Sequence, residues 1–166
     1  GAGFELTPDK FRISAMYGRL AKAEPINLSL ATPNLPIYKR IGWSSKIGYG
    51  DDKASADLII LSAKDDENSI SIPGNYSKQV SPEANFAMGV QLQKLFFDKV
   101  RVKLDYTRSG TSPNVLDAEA GDGSITNFLL KKRNTTYYGN AMEGSVGFKG
   151  KKLNAGFMMN RVDNQF

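Results

Sequence analysis

Apolar and polar side chains take turns along this chain, in runs cut apart by turn residues. In Val100-Arg101-Val102-Lys103-Leu104-Asp105-Tyr106 the even positions are apolar and the odd ones charged. The same alternation carries Phe11, Ile13, Ala15 and Tyr17, then Ile41, Trp43, Ile47 and Tyr49, then Phe86, Met88, Val90 and Leu92, and finally Leu153, Ala155 and Phe157. A period of two sends successive side chains to opposite faces of a β-strand. The pattern predicts about eight strands, over roughly 2–6, 10–23, 37–50, 54–64, 84–97, 100–109, 135–149 and 152–163. Leu58-Ile59-Ile60-Leu61 is apolar on both faces. Placing Asp57 on the polar face assigns Leu58 and Ile60 to the apolar one. Pro8, Pro25, Pro33, Pro36, Pro73, Pro82 and Pro113 all fall in connections, as strands paired on both sides require.

The connections alternate as well. Short ones lie near 7–9, 51–53, 98–99 and 150–151, and long ones near 24–36, 65–83 and 110–134. Tight turns at one rim and long loops at the other are the layout of an outer-membrane barrel. The expected fold is all-β: residues 1–166 form a single antiparallel meander that makes part, or alternatively all, of a transmembrane outer-membrane β-barrel.

Alternation alone does not say which face points outward. A soluble barrel fills its inside with the apolar set, whereas a membrane barrel turns that set to lipid. Several runs match the roughly 9–11 residues that a tilted strand needs to cross a bilayer. The polar face is rich in small residues, among them Gly42, Gly48, Gly89, Gly139, Gly147 and Gly156. Aromatics gather near strand ends at Tyr49, Phe96, Phe97, Tyr137, Tyr138 and Phe148, which is the girdle pattern. On this reading the lipid-facing band and its girdles contain Phe11, Ile13, Tyr17, Trp43, Ile47, Tyr49, Phe86, Val90, Leu92, Phe96, Val102, Leu104, Phe148 and Phe157. The alternative is a soluble ligand-binding β-barrel or sandwich. A helical membrane protein is excluded, because no apolar run approaches the roughly 20 residues of a spanning helix.

The chemistry is limited by what is missing. There is no Cys and no His, so disulfides, thiol nucleophiles, imidazole bases and thiolate or imidazole zinc sites are out of reach. No catalytic residue and no cofactor or metal site is assigned. With 22 Lys+Arg and 17 Asp+Glu the net charge is +5. Arg12, Arg40, Lys46, Asp57, Arg101, Lys103, Asp105 and Glu143 fall on the polar face. They form either a cationic constriction for anionic solutes or a ladder of cross-strand ion pairs. Asp117, Glu119 and Asp122, near Gly121 and Gly123, and the run Asp65-Asp66-Glu67 offer oxygen ligands for a divalent cation. The spacing does not fit an EF-hand, and solvated acidic loops are the plainer reading. Asn75-Tyr76-Ser77 and Asn134-Thr135-Thr136 match glycosylation acceptors, which carry little weight in a bacterial membrane protein. Lys131-Lys132-Arg133, beside Phe128-Leu129-Leu130, is the densest basic cluster; it can meet the phosphates of lipopolysaccharide at the outer rim, and a solvated loop is the plainer reading. Nucleic-acid binding is not expected, since the mixing of basic and aromatic residues is ordinary strand alternation.

The stretch from Gly3-Phe4-Glu5-Leu6-Thr7-Pro8-Asp9-Lys10-Phe11-Arg12 into Ala15-Met16-Tyr17-Gly18-Arg19-Leu20 resembles segments of large outer-membrane β-barrel proteins of the Bacteroidota. Tyr38-Lys39-Arg40-Ile41-Gly42, Lys46-Ile47-Gly48-Tyr49-Gly50-Asp51-Asp52, Ala63-Lys64-Asp65-Asp66-Glu67-Asn68-Ser69-Ile70, Pro82-Glu83-Ala84-Asn85 and Arg161-Val162-Asp163 fit the same pattern. The resemblance implies fold and compartment, and it implies that the chain is a portion of a larger barrel. The rival is a complete eight-stranded barrel closing on a C-terminal aromatic. Phe166 is even, however, while the apolar set Leu153, Ala155 and Phe157 is odd. The expected role is a non-catalytic outer-membrane component that contacts lipid, lipopolysaccharide and, through its long loops, other outer-membrane or surface proteins. Loop 24–36, with Ile26, Leu28, Leu30 and Leu35, is more apolar than a free loop prefers. The alternative is a porin-like channel or transporter for small solutes. A barrel lipase or protease with a His-dependent site is not available to this stretch.

Overall fold

Side-chain contrast at every second residue leaves the backbone one economical solution, and the chain takes it. In the computed structural model the runs become β1 (Ala2–Leu6), β2 (Phe11–Ala21), β3 (Lys39–Gly50), β4 (Ala54–Asp66), β5 (Ala84–Phe96), β6 (Val100–Ser112), β7 (Tyr137–Lys149) and β8 (Asn154–Val162). One short 3-10 turn, Ile125–Phe128, lies between β6 and β7. The structure describes residues 1–29, 33–74, 80–121, 125–164 and 166, without the side chains of 125 and 126. All eight strands join one antiparallel sheet in chain order, β1-β2-β3-β4-β5-β6-β7-β8. No pairing or contact links β8 to β1, so the sheet is open.

The register sets the faces. Leu58 stands between Ile47 on β3 and Val90 on β5, and Asp57 between Gly48 and Gln91. Leu58 and Ile60 therefore share the apolar face, and Ile59 and Leu61 fall on the polar one.

The short connections use backbone conformations that carry a cost. Gly50, at φ 123, begins the β3–β4 turn, where an added Cβ would lie 2.0 Å from the Ala54 carbonyl oxygen. At the β5–β6 turn Phe97 and Asp98 both take positive φ, 53 and 52. These left-handed residues lie in a three-residue loop, 97–99, between the paired Phe96 and Val100, and Asn-Gly takes such angles more easily than a bulky aromatic.

Several strand ends differ from the sequence pattern. β2 stops at Ala21, where a bulge between Arg19 and Ala21 breaks the register. β4 runs on to Asp66, because its last residues pair with Lys39 and Arg40. β6 runs on to Ser112, so the third long loop spans 113–136. Gly110-Thr111-Ser112 offers no apolar contrast to read. Gly110 pairs with Phe86 on one side and Tyr138 on the other, and a Cβ there would come within 2.5 Å of the first ring and 2.9 Å of the second.

The buried core is small and off-centre. Ala84, Phe86, Val115, Leu129 and Leu130 form it, with Ile60, Met88 and Tyr138 packed against it. The strand members of this cluster all lie on the apolar face, so Val115, Leu129 and Leu130 of the loop cover that face at the long-loop end. Phe86 was expected to stand open in the apolar band. It lies on that face but is only 2% exposed, because Val115, Leu129 and Leu130 cover it.

Candidate functional site

Away from the covered corner, the apolar face is continuous across the sheet. One row runs Phe11, Tyr49, Ala56, Leu92, Leu104, Gly144 and Met159. The next runs Ile13, Ile47, Leu58, Val90, Tyr106, Met142 and Arg161. Tyr17, Trp43, Phe96, Val102, Phe148 and Phe157 share this side by register. Many of these side chains stand open: Ile47 and Tyr49 are both 54% exposed and Phe157 is 70% exposed. Phe11 and Tyr49 pack ring to ring at 4.9 Å.

The charges on this face are nearly all of one sign. Within the strands they are Arg19, Lys39, Lys64, Lys94, Arg108 and Arg161, with Asp66 the acid. Asp66 is spoken for by Lys39 at 3.0 Å. Arg19, Lys39, Lys64 and Arg161 lie toward the long-loop ends of their strands, and Lys94 lies toward a short turn, 5.1 Å over the Phe96 ring. Arg108 stacks over Tyr138 at 5.1 Å, with its Nε buried and without a hydrogen-bond partner among the described residues.

The opposite face carries a polar row: Arg12, Gly48, Asp57, Gln91, Asp105, Glu143 and Asn160. Arg12 and Asp57 sit on β2 and β4, with β3 between them. They meet because the intervening residue is Gly48. Arg12 Nε donates to Asp57 Oδ1 at 3.1 Å and Nη2 donates to Oδ2 at 3.2 Å. A Cβ on Gly48 would fall 1.9 Å from Asp57 Oδ1. Arg12 Nη1 also donates to the Gly50 carbonyl at 2.9 Å, and Lys46 Nζ lies 3.6 Å from Asp57. Two-pronged contact of this kind fixes geometry as well as charge.

The polar-face candidates therefore divide. Arg12, Lys46 and Asp57 come together. Arg40 lies apart at the long-loop end, where it holds Asp65 at 2.7 Å and Glu83 at 3.0 Å. Sequence reasoning did not pick Asp65 and Glu83 as partners of Arg40. The only signal for Asp65 was its place at the end of a strand whose register meets Arg40. Arg101, Lys103, Asp105 and Glu143 share the face but form no ion pair among the described residues. Asp105 and Glu143 stand directly opposite each other on β6 and β7.

The acidic loops are occupied by internal partners. Asp117 accepts from Asn114 Nδ2 at 2.8 Å and from Thr135 Oγ1 at 2.6 Å. Glu119 takes Lys131 at 3.2 Å and Arg133 at 3.4 Å, and the Lys131 ammonium holds its carboxyl below the usual range. Asp122, Leu30 and the sequon residues 75–77 lie outside the described residues. At the short-turn rim Asp51 pairs with Lys10 at 2.9 Å. That ammonium, followed by the N–H groups of Lys53 and Ala54, lowers the Asp51 pKa to about 2.

The arrangement offers a wide apolar face edged by cations and a separate polar face braced by ion pairs. Compared with protein-family models, with curated proteins and with solved structures, the chain matches none of them.

Proposed function

We propose that this chain is a non-catalytic β-barrel component of a bacterial outer membrane, of the kind found in the large barrels of the Bacteroidota. It serves there as a structural or partner-binding subunit. The observation that carries this reading is the apolar face. It spans all eight strands, stays largely open and admits almost only cations among its charged residues. Lys and Arg reach from such a band to headgroup phosphates while their stems stay in apolar surroundings. A soluble protein seldom exposes a contiguous apolar patch beyond a few hundred Å². The polar face suits an enclosed lumen, where Arg12, Lys46 and Asp57 hold three neighbouring strands together. The long loops, including the apolar 24–36 connection with Leu28 and Leu35 exposed, are the surface for other outer-membrane proteins.

Flotation with phosphatidylcholine vesicles tests the proposal. The folded chain should float with the lipid and resist carbonate extraction. A chain that stays monodisperse without detergent and remains at the bottom of the gradient overturns it in favour of a soluble ligand-binding barrel.

A porin-like channel is the second reading, favoured by Arg101, Lys103, Asp105 and Glu143, which form no ion pair among the described residues. Ions of both signs stand there, and the other candidate cations are neutralised by Asp57, Asp65 and Glu83. In planar bilayers Arg101→Ala with Lys103→Ala should shift selectivity toward cations if these groups line a pore. An unchanged selectivity removes the channel reading.

A further inference from the structure

Between the folded-back loop and the apolar face lies a groove of about 530 Å³. Its floor comes from β3, through Ile41 and Trp43, and from β4, through Ser62, and its roof from the loop, through Leu129. Lys64, Lys131 and Arg133 stand at the same groove. This is the ordinary build of a ligand site, an apolar trough of several hundred Å³ with a few charged groups to orient the occupant.

The charges define the occupant. Lys64 has no ion-pair partner among the described residues and lies on the cation-edged face. Lys131 and Arg133 share a single carboxylate, Glu119, which is 54% exposed. Three cations thus stand at the groove with Glu119 as the acid paired to two of them; Asp66, which also acts on Lys64, is already held by Lys39 at 3.0 Å. Arg133 is further oriented by donating from Nη1 to the Asp117 carbonyl at 2.7 Å. A ligand that fits must be apolar along the trough and anionic at its mouth.

We infer that this groove binds a phosphorylated acyl lipid, with the chain lying along Trp43, Ile41 and Leu129 and the phosphate held by Lys64, Lys131 and Arg133. The source is the outer leaflet of the surrounding membrane. The inference rests on the membrane reading for that source only, since the groove itself belongs to the fold. A neutral amphiphile would satisfy the trough and leave the cations facing water. An anion without a chain would leave the trough empty.

Trp43 is the one tryptophan in the chain and lines the groove, so its fluorescence reports on occupancy. The probes are ω-bromodecyl phosphate, whose bromine quenches tryptophan, and neutral ω-bromodecanol. The full chain is titrated in micelles of the neutral, phosphate-free detergent dodecyl maltoside, or in buffer if flotation shows that it does not enter vesicles. Saturable quenching by the phosphate is expected, at a concentration at least tenfold below that needed for the alcohol. Lys64→Gln and Lys131→Gln should each raise the phosphate midpoint about tenfold and leave the alcohol midpoint unchanged, the size expected for one charge-assisted contact. Equal midpoints for phosphate and alcohol overturn the inference, as does quenching by the phosphate that is indifferent to both lysine variants. Failure to float with selective, lysine-dependent quenching intact sinks the membrane reading and leaves the site standing. Flotation without that selectivity does the reverse.

Discussion

Replacing Phe86 with Ala should release the third long loop while leaving the sheet intact. The ring is 2% exposed, meets Tyr138 edge-on at 6.3 Å and fills the space left above Gly110. It is also the largest member of the small cluster that fastens Val115, Leu129 and Leu130 to the strands. Removing a buried Phe ring costs about 3–5 kcal/mol in a well-packed core. The lower end applies here, because a flexible loop can settle into the gap. About 3 kcal/mol is a shift of roughly 150-fold in the open population of the loop. Among the described residues, polar contacts that also fasten the loop to the rest of the chain include Val115 N–H donating to the Pro82 carbonyl at 2.9 Å and Ser62 Oγ donating to the Leu129 carbonyl at 3.4 Å. Limited trypsin digestion reads the opening directly, through cleavage after Lys131, Lys132 and Arg133 followed by mass spectrometry. When opening is fast relative to cleavage, the rate follows the open population. The variant should be cut at these bonds about 100-fold faster than the parent, while the bond after Lys46, in the middle of β3, stays protected. Phe86→Leu keeps most of the apolar volume and should cost about 1 kcal/mol, a roughly fivefold effect. Cleavage of Phe86→Ala at the parental rate, with an unchanged β-sheet spectrum, would refute the account of the loop.

The remaining predictions concern the two rims and the polar row. Asp57→Asn should lower unfolding stability in urea by about 2 kcal/mol, since it leaves Arg12 and Lys46 without their shared carboxylate. Gly48→Ala should cost a similar amount by blocking the same bridge, and the double variant should lose far less than the sum, because both changes remove one interaction. Asp51, held at a pKa of about 2 against an ordinary 3.8, contributes stability that is complete above about pH 4 and lost as pH falls toward 2. The gap in thermal midpoint between the parent and Asp51→Asn should close over that window, and a gap unchanged down to pH 2 contradicts the pairing. Substituting Asn-Gly for Phe97-Asp98 should raise stability by about 1 kcal/mol by relieving the positive φ of Phe97. A lower thermal midpoint in that variant would show that the Phe97 ring supplies more than the turn costs.

The alternation at 100–106 was enough to place β6 and to tell its faces apart, because each residue there differs in polarity from both neighbours. Four residues on, at Gly110, that contrast is gone. Gly110-Thr111-Ser112 joins the sheet through what stands opposite it, Phe86 and Tyr138, and that information lies on other strands. The bridge from Arg12 to Asp57 spans 45 positions and depends on the missing side chain of Gly48, so no local window contains it. Asp65 read as a spare acid beside Asp66, yet register delivers it to Arg40. The cover over Phe86 had a visible signal in the adjoining apolar residues Phe128-Leu129-Leu130. Nothing local shows that Leu129 and Leu130 pack on Phe86, which lies on a distant strand.

Each strand touches only the strand before it and the strand after it. Energetically such a ladder resembles a row of dominoes, with a stability close to a sum of nearest-neighbour terms, as in solenoid arrays. Tension applied at its ends should peel it one hairpin at a time in a sawtooth of small force peaks. The fully exposed β8 should give way early, and the Arg12–Asp57 clasp should mark the tallest tooth.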